Sequence, residues 1–348
     1  MTTLAKALYV QRRPTRAGAQ TSLSRLIASS PHQTLTLCAQ NGWLTEALEN
    51  TIVSEWPSPR SLPARLGGLK RFAAKLAKRL DAITVVVAND HHECPIALAI
   101  AKCLAIPCIA ILRTPGMSRG DFEKYKCDDF DHLFVVGEEL QSKIRQWSNT
   151  PISPFNEGFL ESEFSQASFE SPRFPDAILV AGSEEPRKGF SDFIDALTIL
   201  QKTQPNIGIK KVCFTGKVPD GQLPDLDCEL AFVGRVTDFI PFARQFDFAV
   251  HPSRHETFGL APLELMIAGI PTLCTETGCA NEDLLPKSWL IPPSSPEALA
   301  AALQDWQRNW SSNRSQLPEV SRKIHERFAI STTSRDFFAT IEKLSSAS

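Results

Sequence analysis

Apolar and polar positions along the chain fall into two alternating series. Short apolar, β-branched runs are separated by stretches with helical spacing, which is the pattern of parallel βαβ units. In the first half, residues 5–10 read as a strand, 19–28 as a helix and 34–39 as a second strand. The run ITVVVA at 83–88 is apolar without alternation, as expected for a strand covered on both faces. It leads through 89–94 into a helix over 95–104, opened by Pro95 in its first turn. Strands at 106–112 and 132–136 follow, and then an amphipathic helix in GEELQSKIRQW. The second series places strands at 177–181, 211–215, 230–233, 246–251 and 271–275, with helices at 190–201, 240–245 and 261–268. An amphipathic pattern over 322–344 predicts one closing helix.

An irregular, proline-rich stretch separates the two series, SNTPISPF and then SFESPRFP, and marks a domain connection. The expected fold class is α/β, with a Rossmann-like domain over 1–155 and a second over 156–325. In such doubly wound domains the carboxyl ends of the strands face a ligand, here in a cleft between the two.

Composition narrows the function classes. The net charge of −2 over 348 residues leaves no bulk basic field for nucleic acid. No apolar run reaches the roughly 18 residues a spanning helix needs. The start, MTTLAKALYVQRRPTRAG, has its basic residues after a short apolar stretch, unlike a secretory signal. Nine cysteines are scattered singly, without a CxxC pair, against both a disulfide framework and a structural zinc site. These features predict a cytoplasmic protein.

The segment 246–264 carries the most chemistry. The strand FDFAVH ends at Pro252-Ser253 and opens into a loop with Arg254, His255 and Glu256, then Thr257-Phe258-Gly259. Leu260 and Pro262 begin a helix. A glycine turn feeding a helix N-terminus offers unpaired N–H groups and a partial positive charge, which suits phosphate. Glu264 adds a bidentate acceptor suited to a ribose or sugar diol. Glu256 and Glu264 thus bracket a phosphate-sized site, one able to face a nucleoside and the other a sugar.

In order along the chain, Pro252-Ser253, Glu256-Thr257-Phe258-Gly259-Leu260, Leu263-Glu264, Gly269-Ile270-Pro271, Gly278 and Glu282 resemble the retaining GT-B glycosyltransferases of family four, the glycosyl transferases group 1. Further segments resemble that family in the expected order: Gly18-Ala19-Gln20, NDHHECP at 89–95, FNEGFLESEF with Glu157 interposed, VAGSEEPRKGFSDFIDAL, and VGRVTDFIPFARQFDFAVHPS. The likeness spans most of the chain and is strongest in the second half.

The resemblance implies a GT-B fold in which a C-terminal helix, 326–348, packs back toward the first domain. It implies a metal-independent, cofactor-free hexosyltransferase that retains anomeric configuration. The donor would be a nucleotide-diphosphate sugar and the acceptor a glycan or lipid-linked glycan, of cell-envelope polysaccharide or lipopolysaccharide type. Nucleic acid is not among the implied partners. Lys188 would meet the donor diphosphate as a point charge, beside Gly189. Family members carry an arginine five residues earlier, where this chain has Ser183, and Arg187 would supply that charge from another direction. Arg235 would lie beside the donor base, and Glu264 would hold the ribose hydroxyls. Glu256 and the N–H groups of Phe258, Gly259 and Leu260 would orient the sugar and its phosphate. Gly18 and Ala19 would line the acceptor cleft, with His92 at the reacting centre and His91 as its alternative. His92, Glu256 and Lys188 are thus the expected catalytic set. Arg113 stands where many relatives carry histidine. Asp128-Asp129-Phe130-Asp131 leads into a strand and reads as a polar turn rather than a metal-diphosphate motif.

Each assignment has a plainer counterpart: a surface lysine, an exposed helix glutamate, loop histidines or a turn glycine. On those readings the chain would be a catalytically weak sugar-nucleotide-binding or scaffold protein of the same fold. The basic helix KRFAAKLAKRL, residues 70–80, reads either as a solvated face or as a peripheral contact with the inner face of a membrane.

Overall fold

A computed structural model describes residues 5–58, 61, 67–114, 116–164, 173–182, 185–204, 207–218, 221–281 and 283–347. The chain divides into two compact units: Met1–Leu160 with Phe328–Ser348, and Glu161–Arg327.

Among the described residues, the first unit holds seven parallel strands. They are β1 (Lys6–Val10), β2 (Gln33–Cys38), β3 (Thr51–Val53), β4 (Val85–Ala88), β5 (Cys108–Leu112), β6 (His132–Val135) and β7 (Ile152–Pro154). Their order is β3-β2-β1-β4-β5-β6-β7, and Tyr9 of β1 lies level with Thr36 of β2 and Val87 of β4. Strands β4 and β5 are buried at every position, which is why their sequences do not alternate. The chain winds outward from β1 through β2 to β3, then resumes at β4 on the other side. The carboxyl ends of β1 and β4 therefore diverge into a crevice, the switch point of a doubly wound sheet.

The second unit repeats the scheme with β8 (Ala177–Val180), β9 (Lys211–Phe214), β10 (Glu229–Phe232), β11 (Ala249–His251), β12 (Thr272–Thr275) and β13 (Leu290–Ile291). These six run in the order β10-β9-β8-β11-β12-β13, all parallel. Its switch point falls between β8 and β11. Phe248, just before β11, packs its ring 4.7 Å from Trp306, which lies 5.2 Å from Trp289. The two-domain Rossmann-like fold read from the sequence holds. Strands β3, β7 and β13 went unseen there because two or three residues are too few to set a period.

The closing helix over 322–344 needs correction. The chain forms separate helices at Leu317–Phe328, Ile330–Thr333 and Arg335–Ser346. Ala329 between the first two has extended backbone angles (φ −59°, ψ 132°). Phe159 draws the chain into a parallel bridge there: its N–H donates to Phe328 O at 2.8 Å, and the Ile330 N–H donates to its carbonyl at 2.9 Å. Backbone bonds to a distant residue replace helical ones, and apolar spacing alone cannot reveal that exchange. The last helix packs on the first unit, as the fold class required. Phe337 meets the rings of Tyr9, Phe134 and Phe155, and Ser345 Oγ lies 3.0 Å from Thr84 Oγ1.

Candidate active site

In the second unit, the loops leaving β8 and β11 are tied together by backbone and side chain. After β8 the chain makes a single 3-10 turn, Pro186–Lys188, and enters the helix Phe190–Thr203 through Gly189. Gly189 has φ +70°, and a Cβ there would lie 1.9 Å from the Pro252 carbonyl oxygen. Only glycine permits that approach of one backbone to the other. Arg254 N–H donates to Arg187 O at 2.7 Å, and Arg187 Nη1 returns a bond to His255 O at 3.1 Å. The Arg254 guanidinium forks onto buried Asp192 at 2.8 and 2.5 Å, a bidentate brace between the loop after β11 and the first turn of the helix Phe190–Thr203.

These ties set Lys188 against Glu256, with Nζ to Oε1 at 2.5 Å. His251 Nε2 approaches the same oxygen at 3.1 Å, while its Nδ1 lies 2.7 Å from Ala181 O. Arg187 Nη1 stands 3.5 Å from Oε2. Burial works to raise the Glu256 carboxyl, but the hydrogen bonds and charges of His251 and Lys188 outweigh it. They hold the group well below the usual carboxylate range. Three residues on, the turn Phe258-Gly259 feeds the helix Leu260–Ile267, with Gly259 at its N-cap and Phe258 O fixed by the Cys279 N–H at 2.8 Å. The first N–H groups of that helix have no partner within it. Glu264 lies one turn further along and is half-buried.

The first unit gathers a second group at the carboxyl ends of β1 and β4. Gly18 opens the helix Gly18–Ala28, and Ala19 O accepts from Asn89 Nδ2 at 3.1 Å. Asp90 holds the His91 N–H and ring Nδ1 at 2.7 and 3.0 Å, and the Thr114 hydroxyl at 2.8 Å. His91 is buried beneath exposed His92, their ring centres 3.9 Å apart, with Tyr125 edge-on to both. Glu93 accepts from the Arg12 N–H at 3.1 Å, and burial together with the charge of Asp90 pushes its carboxyl up to about 8.

Other residues singled out from the sequence fall elsewhere. Arg235 is exposed in the loop after β10, the outer strand, two strands from β8. Ser183 and Glu282 lie outside the described residues. Asp131 accepts the Cys108 N–H at 2.8 Å and Asp128 O the Thr150 hydroxyl at 3.1 Å, both in turn roles. Sequence reasoning missed the part played by His251, although a polar residue closing an otherwise buried strand was the available signal. It noted Arg113 and Glu157 only as separate departures from the family pattern. The structure pairs them in a buried ion pair, with Ser22 bonding Glu157 and Arg113 Nη2 reaching Asn89 Oδ1 at 3.1 Å.

Two doubly wound parallel units, the second with a lysine–glutamate–histidine cluster and a helix N-terminus at its switch point, define a protein of the GT-B class. Residues 175–309 match the family model of the glycosyl transferases group 1. The D-inositol 3-phosphate glycosyltransferase of Jonesia denitrificans is 28% identical over 188 residues, covering 48% of this chain and 43% of its own. The lipopolysaccharide core biosynthesis mannosyltransferase LpsB of Rhizobium meliloti is 32% identical over 113 residues, 29% of this chain and 31% of its own. The match thus spans less than half the length of either relative. The Anabaena HepE structure in complex with UDP-glucose superposes with a TM-score of 0.79 at 17% identity, covering 97% of this chain and 100% of that one, and shares its fold. The family resemblance read from the sequence is borne out to this extent: residues 175–309 match the glycosyl transferases group 1 model, and the fold is GT-B.

Proposed function

We propose that the protein is a retaining glycosyltransferase that moves a hexose from a nucleotide-diphosphate sugar to a glycan or lipid-linked acceptor. The observation that carries this reading is the Lys188–Glu256 pair at the switch point of the second unit, backed by a helix N-terminus within the matched region. Lys188 and Arg187 would take up the negative charge that develops on the departing diphosphate, with the N–H groups of Phe258, Gly259 and Leu260 as preorganised donors. That supply of positive charge comes from side chains and a helix terminus, in keeping with a metal-independent reaction. Glu264 would accept from the ribose hydroxyls, and Glu256 would hold the hexose over its phosphate. His92, on the exposed rim of the first unit's crevice, would stand toward the acceptor, with His91 and Asp90 fixing its loop. Gly18 and Ala19 would line the same side.

The printed ligand of the HepE structure makes UDP-glucose the first donor to try, and the lipopolysaccharide role of LpsB points to an envelope glycan as acceptor class. A thermal-shift panel of nucleoside diphosphates and nucleotide sugars should single out one base, because specific binding stabilises by mass action. Slow hydrolysis of the same donor should be lost in Lys188→Ala and Glu256→Ala while both variants remain folded. Binding without hydrolysis in the wild type would instead favour a sugar-nucleotide-binding scaffold, and neither would sink the transferase reading.

A further inference from the structure

Two groups of very different freedom hold the Glu256 carboxylate. Lys188 reaches it on a long, flexible stem, its side chain 14% exposed. His251 reaches it from the end of β11 with only 2% of its side chain exposed. The imidazole is pinned at its other edge by Ala181 O, the carbonyl that follows β8, so the ring spans both strands of the switch point. Both ring nitrogens lie within hydrogen-bonding distance of an oxygen, one of the backbone and one of the carboxylate. Arg187, the third basic group facing Glu256, already contacts Glu185 at 2.6 Å and His255 O at 3.1 Å, and it stands further off.

Resting on the donor-site reading above, we infer that His251 is a positioning residue that keeps Glu256 in place when Lys188 turns from it to the donor diphosphate. One ammonium cannot give its shortest contact both to a carboxylate and to a diphosphate. A half-buried carboxylate deserted by its lysine would swing toward solvent or take up a proton. His251 cannot follow the ligand, because its ring is buried and held at both nitrogens. It therefore supplies the fixed half of the grip and Lys188 the transferable half.

Two isosteric substitutions separate this role from mere support of the strands. Asn at 251 places an amide donor near the Nδ1 position, toward Ala181 O. Gln places one near the Nε2 position, toward Glu256. With UDP-glucose as donor, His251→Asn should lower kcat for hydrolysis on the order of tenfold with little change in KM, and His251→Gln should recover most of that loss. An independent readout is the acid limb of thermal stability in the full chain. Glu256 has a folded-state pKa depressed below its ordinary 4.5. Its contribution is present above that value and is lost as pH falls through and below it. The limb should be shallower in His251→Asn than in the wild type, near wild-type in His251→Gln, and insensitive to His251→Asn in a Glu256→Gln background. If the wild type turns over no nucleotide sugar, the transferase reading fails, yet the acid limb still judges the His251–Glu256 coupling. Asn outperforming Gln, or equal losses in both with a lowered melting point at neutral pH, would assign His251 to strand support alone and overturn the inference.

Discussion

A methyl group on Gly189 would collide with the Pro252 carbonyl, and nearby a single oxygen of Glu256 is shared between a lysine and a histidine. At this scale the chemistry depends on contacts such as Lys188 to Glu256, between residues far apart in the chain. The same holds in the first unit, where Arg113 and Glu157 form an ion pair buried at both ends. Removing one partner of such a pair leaves an uncompensated charge, whereas removing both can be nearly neutral. Arg113→Met should therefore destabilise the protein by about 3–5 kcal/mol, and adding Glu157→Leu should restore most of it, as read by urea unfolding. Lys188, Glu256 and Glu264 were legible in the sequence because a local motif carries them. The Arg113–Glu157 pair was not, since the two meet only on folding, and neither was the work of His251, whose ring is held toward Glu256 by the distant Ala181 carbonyl.

At the scale of elements, the long buried strands and their following helices announced themselves through apolar runs and helical spacing. The helix Leu69–Ala77 was also legible as amphipathic and basic. What the pattern could not say is where its apolar face goes. Ala73 and Leu76 are buried, Phe72 lies 6.0 Å from the Trp56 ring, and the helix packs against Cys94–Leu104. That face is spent on the protein's own core. Lys70, Arg71 and Lys75 on the helix, with Lys78 and Arg79 just beyond it, remain exposed. A membrane contact made here would be electrostatic, without insertion. Binding to vesicles containing phosphatidylserine should then fall steeply with added salt, and Lys70→Gln with Lys75→Gln should weaken it by about 1 kcal/mol per charge. Equal binding to neutral vesicles in a sedimentation assay would contradict this. No helix among the described residues is long and apolar enough to cross a membrane.

At the scale of the whole molecule, the first unit is completed by the last stretch of chain. Phe337 fills a space lined by Tyr9, Phe134 and Phe155, so truncation after Ser334 should uncover that core. Losing one buried phenylalanine alone costs about 3–5 kcal/mol. Calorimetry should show the first unit's transition lowered or lost, with the second unit's preserved. A truncated chain that melts like the full one would refute this packing argument. The bridge between Phe159 and Ala329 has a further consequence, concerning synthesis rather than stability. It brings together the points where the chain leaves the first unit and re-enters it, making residues 161–327 a cassette inserted between them. On the ribosome, the cassette can close as soon as its own last helix emerges. The earlier half must wait, with one side of its sheet uncovered, until the helix Arg335–Ser346 arrives to seal it.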